Sequence, residues 1–419
     1  MATSGGSLAR SLRLFDAVVI GLGSMIGAGV FAAFAPAAAA AGGALLIGLA
    51  IAAVVAFCNA TSSAQLAAQY PQSGGTYLYG RARLGEWPGF LAGWSFLIGK
   101  TASCAAMATT FAYYAAPASY AKPVAVLAIV AIATVNYLGV TRTAALTKVI
   151  VTLVLSVLTV SVVIGLTAAD RHSTSTTDNL APHGWYGVLQ SAGLLFFAFA
   201  GYARIATMGE EVTNPKRTIP RAIIIALTGA LAVYVAVAVT LLVVLGPDDL
   251  ASSTAPLVDL VTRAGQSWAA PLVRFGAAAA SLGALLALMT GIGRTTLAMA
   301  RNHDLPHFLS AVHPRFAVPH RAEISLAVVV IVLVVSIDLR AAIGFSSFGV
   351  LLYYLVANIA AYTQTADDRR YPRAAQVLGV VGCCVLIFTL PATSIVAGVA
   401  VLVVGAAYRL GTSAVRRRA

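Results

Sequence analysis

The segment GLGSMIGAGVF, residues 21–31, puts glycines at 21, 23, 27 and 29 inside a long apolar run. In hydrocarbon every backbone N–H and C=O needs a partner, so glycines in a membrane helix mark one of two things. Either neighbouring helices approach closely there, as a Gly23-x-x-x-Gly27 contact would allow, or the helix breaks where protein or a water-filled cavity satisfies its backbone. A dinucleotide fingerprint is the poorer reading, because GLGSMI lacks the third glycine and no soluble strand–helix unit surrounds it.

The surrounding composition establishes the membrane. Of 419 residues, 59% are hydrophobic and 10% charged, with mean hydropathy +0.88. Soluble domains are roughly half apolar and about a quarter charged. Apolar runs near the ~20 residues that cross a bilayer as a helix recur throughout. Twelve are expected, at about 16–40, 43–68, 87–116, 123–139, 144–169, 184–209, 220–246, 269–299, 322–337, 341–363, 375–391 and 394–409. The start MATSGGSLARSLRLFD has no apolar core before a cleavage site, so the first span is expected to be retained. Cys58, Cys104, Cys383 and Cys384 fall inside spans without ligand-type neighbours, which argues against disulfides and against a metal.

The net charge of +13 reports topology, not nucleic acid. With the N-terminus in the cytoplasm, most of the basic residues fall on inner loops and ends, from Arg10 and Arg13 to Arg416–Arg418. The outer loops keep Lys122, Arg171, Arg263, Arg274 and Arg340. This bias predicts a multi-pass inner (plasma) membrane protein with both termini inside. The lipid bilayer is its environment, and residues 1–419 read as a single transmembrane domain.

A second interrupted span supports the break reading. The sixth, LLFFAFAGYARIATMGEEV, carries Gly201 beside Arg204 in mid-span. It lies five spans after the first and crosses the other way. Glycine-interrupted spans at matching places point to inverted repeats with a ligand held near the midplane. The first repeat is then about 14–169, the second about 184–363, and two extra helices lie at about 375–409. A break at Ser24 to Gly29 would free amide N–H groups at a helix N-terminus, where an anion is favoured. A break near Phe199 to Tyr202 would free carbonyls for an ammonium. Donors facing acceptors suit an α-amino acid zwitterion.

Several ordered motifs resemble the amino acid-polyamine-organocation (APC) transporters, and within them the bacterial permeases akin to cationic amino acid transporters. They are GLGSMIGAGVF, YPQSGGTYLYGRARLGEWPGFLAGW (70–94), FFAFAGYARIATMGEEVTNPKRTIPRAI (196–223) and GRTTLAMARNHDLPHFLSAVHPRFAVP (293–319). The resemblance implies an all-α fold of twelve transmembrane helices of LeuT type, in which discontinuous helices 1 and 6 belong to a five-plus-five inverted repeat. It implies amino acid transport by alternating access, without a cofactor. Matched by motif, the main chain at Ser24, Met25, Gly27, Ala28 and Gly29 holds the substrate carboxylate. The carbonyls of Phe197 and Ala200, with Phe199, hold the amine, beside Gly201. Phe197 falls at a gating position, and Tyr202 shapes the side-chain pocket.

This sequence departs from those relatives twice. The fifth-span lysine of proton-linked members has no counterpart within TLVL (152–155), and the acid that often follows the sixth-span aromatic in carriers of cationic substrates is Ala203 here. No acidic residue falls in the middle of a predicted span, but two cations do, Lys100 and Arg204. Such charges face a cavity and a partner. For Arg204 the sequence offers an ion pair with Glu210 or Glu211 that closes the inner gate. For Lys100 it offers coupling, since a lysine can change protonation while arginine stays charged, or a fixed ammonium resting on carbonyls in place of a sodium ion. Neutral amino acids are therefore expected as substrates, with protons as the candidate coupling ion. The alternatives are an exchanger or exporter, a carrier of cationic amino acids or polyamines, and a non-transporting sensor. The spans hold no nucleophile–base pair, metal cluster or paired carboxylates, which excludes an enzyme.

Overall fold

The computed structural model describes residues 12–71, 74–139, 144–172, 181–209 and 211–416. Among them the regular structure is helical, in the order α1 (Leu14–Met25), α2 (Ala28–Ala32), α3 (Phe34–Ala41), α4 (Leu45–Gln69), α5 (Gly75–Leu84), α6 (Glu86–Ala115), α7 (Ala121–Tyr137), α8 (Ala144–His172), α9 (Gly184–Phe199), α10 (Ala203–Ala206), α11 (Pro215–Ser252), α12 (Pro256–Arg263), α13 (Ala270–Arg301), α14 (His320–Ser336), α15 (Leu339–Tyr362), α16 (Arg373–Thr389) and α17 (Ala392–Arg416). Nine stretches of the described residues are helical, long and apolar enough to cross a membrane. Helices α6, α14 and α16 stand where the sequence predicts three further crossings. By length or composition they fall outside that group, α14 and α16 at 17 residues each.

Small side chains let the helices approach. The buried core is rich in alanine, with Ala17, Ala28, Ala52, Ala92, Ala105, Ala198, Ala226 and Ala357 all almost inaccessible. Their size permits backbone-to-backbone packing, which in lipid replaces the hydrophobic drive between helices. Helix α15 packs along α6, α4 along α9, and α11 runs past α1, α3, α4 and α8. The outward faces carry the large apolar residues, among them Leu127, Val163, Phe388, Val396 and Val404. Water would penalise such faces; acyl chains do not. The chain is a multi-pass membrane protein.

Two local features position the first span. Between α2 and α3 the residue Ala33 keeps right-handed helical angles. The interruption there is chemical, because Pro36 has no N–H to give to the Ala32 carbonyl four residues back. The gap between α1 and α2 is different in kind. Ile26 closes α1 by donating to Leu22 O at 2.7 Å, and Gly27, at φ −85° and ψ −133°, leaves helical space altogether.

Candidate functional site

The first break is thus confined to Ile26–Gly27, narrower than the Ser24 to Gly29 expected from the glycines. Ser24 and Met25 still belong to α1, and the Ser24 hydroxyl donates to Ile20 O one turn back at 2.8 Å. Ala28 and Gly29 open α2.

In the second segment the coil tightens rather than opens. Helix α9 ends at Phe199 and continues through a 3₁₀ turn, Ala200–Tyr202, into the single turn of α10. The expected unwinding near Phe199 to Tyr202 is replaced by this turn. The i to i+3 pattern redirects the carbonyls. Phe197 O takes the Ala200 N–H, while other carbonyls of the segment receive side-chain donors from neighbouring helices. Ala200 O accepts from Lys100 Nζ at 3.1 Å, Ala198 O from the Tyr234 hydroxyl at 2.9 Å, and Ala206 O from the Tyr79 hydroxyl at 3.3 Å. The two carbonyls assigned to a substrate amine, Phe197 O and Ala200 O, are both engaged.

The two segments touch. A Cβ built on Gly201 would stand 2.3 Å from Ser24 O and 2.6 Å from Met25 N, and one on Gly29 would stand 2.7 Å from Ala198 Cα. Only glycine permits these approaches. Tyr234, on α11 and inaccessible, joins the same two segments, because its hydroxyl lies 2.7 Å from Met25 O as well as 2.9 Å from Ala198 O. One hydroxyl proton serves two carbonyls. Tyr234→Phe is expected to cost about 1–3 kcal/mol, the penalty for leaving buried acceptors unmade, read as a lower melting temperature of the purified protein.

Aromatic rings close the surroundings. Phe199 meets Tyr234 edge-on at 5.0 Å, and Tyr202 stacks on Tyr354 of α15 at 5.0 Å. Phe199 and Tyr202 are inaccessible and Phe197 nearly so. Leu22, Gly23 and Ser24 on α1, with Gly201, Arg204 and Thr207, stay partly exposed at one edge of the junction.

Of the two deep cations, Lys100 is buried and sits at the junction through Ala200 O. Arg204 is half-buried one turn further on, within the field of Glu211 and of Arg294 from α13. Glu211 has a second role through its backbone, whose carbonyl accepts from Leu12 N at 3.1 Å. Glu210 lies outside the described residues. Sequence reasoning missed Tyr234, although it is the single aromatic in the run AIIIALTGALAVYVAVAVTLLVV (222–244). It also left Asp304 outside the predicted spans and Glu323 at the edge of one, whereas both are buried.

A family model described as amino acid permease matches residues 12–410. An uncharacterized transporter of Mycobacterium tuberculosis is 58% identical over 400 residues, 96% of this chain and 90% of that protein. The branched-chain amino acid permease BcaP of Bacillus subtilis is 27% identical over 90% of this chain and 86% of its own. The chloroplastic cationic amino acid transporter 7 of Arabidopsis thaliana is 28% identical over 85% of this chain and 66% of its own. With a permease profile over nearly the whole length and two facing interrupted helices in a membrane-embedded bundle, the chain belongs to the amino acid permease family of the APC superfamily, a family of membrane transporters and not of enzymes.

Proposed function

We propose that the protein is a secondary active carrier of neutral α-amino acids, working by alternating access around the junction of α1–α2 with α9–α10. The reading takes the fold as twelve crossings of LeuT type, with α1 to α8 and α9 to α15 as the inverted repeats, α16 and α17 as additions, and both termini cytoplasmic. The observation that carries it is the contact of Gly201 with the Ser24–Met25 backbone, which brings the non-helical backbone of the first span against the tightened turn of the sixth. In this conformation the segments are closed on each other. A zwitterion enters when they part, its carboxylate on the amides from Gly27 to Gly29 and its ammonium on Ala200 O, with Phe197 and Tyr202 shaping the remaining space.

Substrate class follows from charge. The ionic side chains described on this junction are the cations Lys100 and Arg204, with Glu211 acting on Arg204 from beyond α10, so a cationic side chain would meet repulsion. The branched-chain permease among the relatives fits that preference and the cationic transporter does not. Counterflow of labelled leucine or alanine in liposomes, exceeding that of arginine, is the expected result; arginine in first place would overturn it.

Lys100 supplies the coupling. It holds Ala200 O as a tethered ammonium, on the same acceptor that a substrate amine needs. Two cations about 4 Å apart repel by about 4 kcal/mol at an effective dielectric near 20, so substrate and proton alternate at this position. Lys100→Met is expected to abolish accumulation driven by a pH gradient while leaving counterflow in place. Unchanged accumulation would refute the role.

A further inference from the structure

A second polar group lies buried away from that junction, where α7, α13 and α14 meet. Glu323, in the first turn of α14, is 3% exposed, and its Oε2 has no hydrogen-bond partner among the described residues. It packs on α13 at Gly293, where an added Cβ would stand 3.1 Å from Glu323 Cγ. One turn along α13, the Thr290 hydroxyl donates to Asn136 Oδ1 of α7 at 3.0 Å, and Asn136, also 3% exposed, keeps its Nδ2 unpartnered. On α14 itself His320 stands one turn before Glu323, half-buried, edge-on to Tyr137 of α7 at 6.3 Å, with Nδ1 unpartnered. Three polar side chains of this region thus each carry an atom without a partner among the described residues, where a charge would be costly unless paired.

We propose that Glu323 is a proton-binding site, filled from solvent through His320. A proton on Oε2 turns an unsatisfied acceptor into a donor, and the proton returns to water by the same path, so no other reactant is required. The groups facing the site are Arg294 from α13, His320 on its own helix with His313 edge-on to it at 5.4 Å, and Tyr137 and Asn136 from α7. Of the charged groups on the packed elements, including α6 and the His307–Ser310 turn, Arg294 is the one whose field acts on Glu323. That same guanidinium acts on Arg204. Arg294 is thus an electrostatic neighbour of both Glu323 and Arg204.

The test is independent of any transported substrate. Difference infrared spectra of the purified protein in lipid, titrated between about pH 5 and about pH 8 where such groups exchange protons, are expected to show a protonated-carboxyl C=O band that is lost in Glu323→Gln. Arg294→Gln, which keeps Glu323 in place, is expected to carry the disappearance of that band to higher pH, because it removes the cation that favours the carboxylate. A titrating band retained in Glu323→Gln, or no such band in the unaltered protein, overturns the site. A band unmoved by Arg294→Gln overturns the role given to Arg294. Counterflow measured beside these spectra tells failure of the carrier reading apart from failure of this one.

Discussion

Asp304→Ala is expected to cost about 3–5 kcal/mol, the penalty of stripping the partner from a buried ion pair, and to leave little monodisperse protein after extraction. Asp304 is buried in the segment after α13 and collects three donors from two other helices. Arg81 of α5 reaches its carboxylate at 2.8 Å, the Tyr77 hydroxyl of the same helix at 2.7 Å, and Arg409 of α17 closes on the other oxygen. Arg409 is itself nearly inaccessible, its guanidinium stacked over Phe90 at 4.8 Å and Trp87 at 5.1 Å. Burial, and then the bond to Asp304, push the pKa of the Tyr77 hydroxyl up to about 12, so it remains a donor at every physiological pH. Removing the carboxylate strands one buried cation and half-strands another, since Glu86 lies nearby for both but is mostly exposed. Asp304→Leu combined with Arg409→Met is expected to melt higher than Asp304→Ala, because apolar replacement of a whole pair avoids the unpaired charge. Equal melting of Asp304→Ala and the unaltered protein would show the cluster to be energetically idle.

Gly201→Ala is expected to lower counterflow by about 100-fold, the scale on which an ~1 Å displacement of a binding geometry is felt, without loss of membrane insertion. The added methyl would overlap Ser24 O and C, which are backbone and cannot rotate away. The two interrupted segments must separate, and overpacking of this kind costs about 1–3 kcal/mol. Gly291→Ala on α13 is the matched control, since a methyl there meets no atom within 4 Å. Flux in Gly201→Ala equal to that of the unaltered protein would mean that the contact is not part of the transport cycle.

The sequence made the first break legible because four glycines in nine positions of one span are matched by an interrupted span five crossings later. The second was half legible. Gly201 signalled an interruption, but whether a glycine opens a helix or tightens it depends on the donors around it, and Lys100, Tyr79 and Tyr234 come from three other helices. Asp304 and Glu323 escaped because the prolines at 306, 314 and 319 interrupt the apolar pattern between two spans, and burial of such a stretch is decided by what folds over it. Tyr234 escaped for a related reason: in an aliphatic run an aromatic reads as packing, and its two carbonyl partners are distant in the chain. Helices α14 and α16 are 17 residues long, near the lower limit for a crossing, so periodicity alone places them without settling their depth.

One small contact ties the start of the first span to the segment that follows the sixth. Leu12, just before α1, donates to Glu211 O at 3.1 Å and accepts from Thr213 N at 2.9 Å, with the Thr213 hydroxyl on the same carbonyl at 3.1 Å. These bonds splice the entrance of α1 to the stretch beyond α10. In the carrier reading proposed above, the segments then part at Gly201 while staying spliced at this end, as tongs open about a rivet.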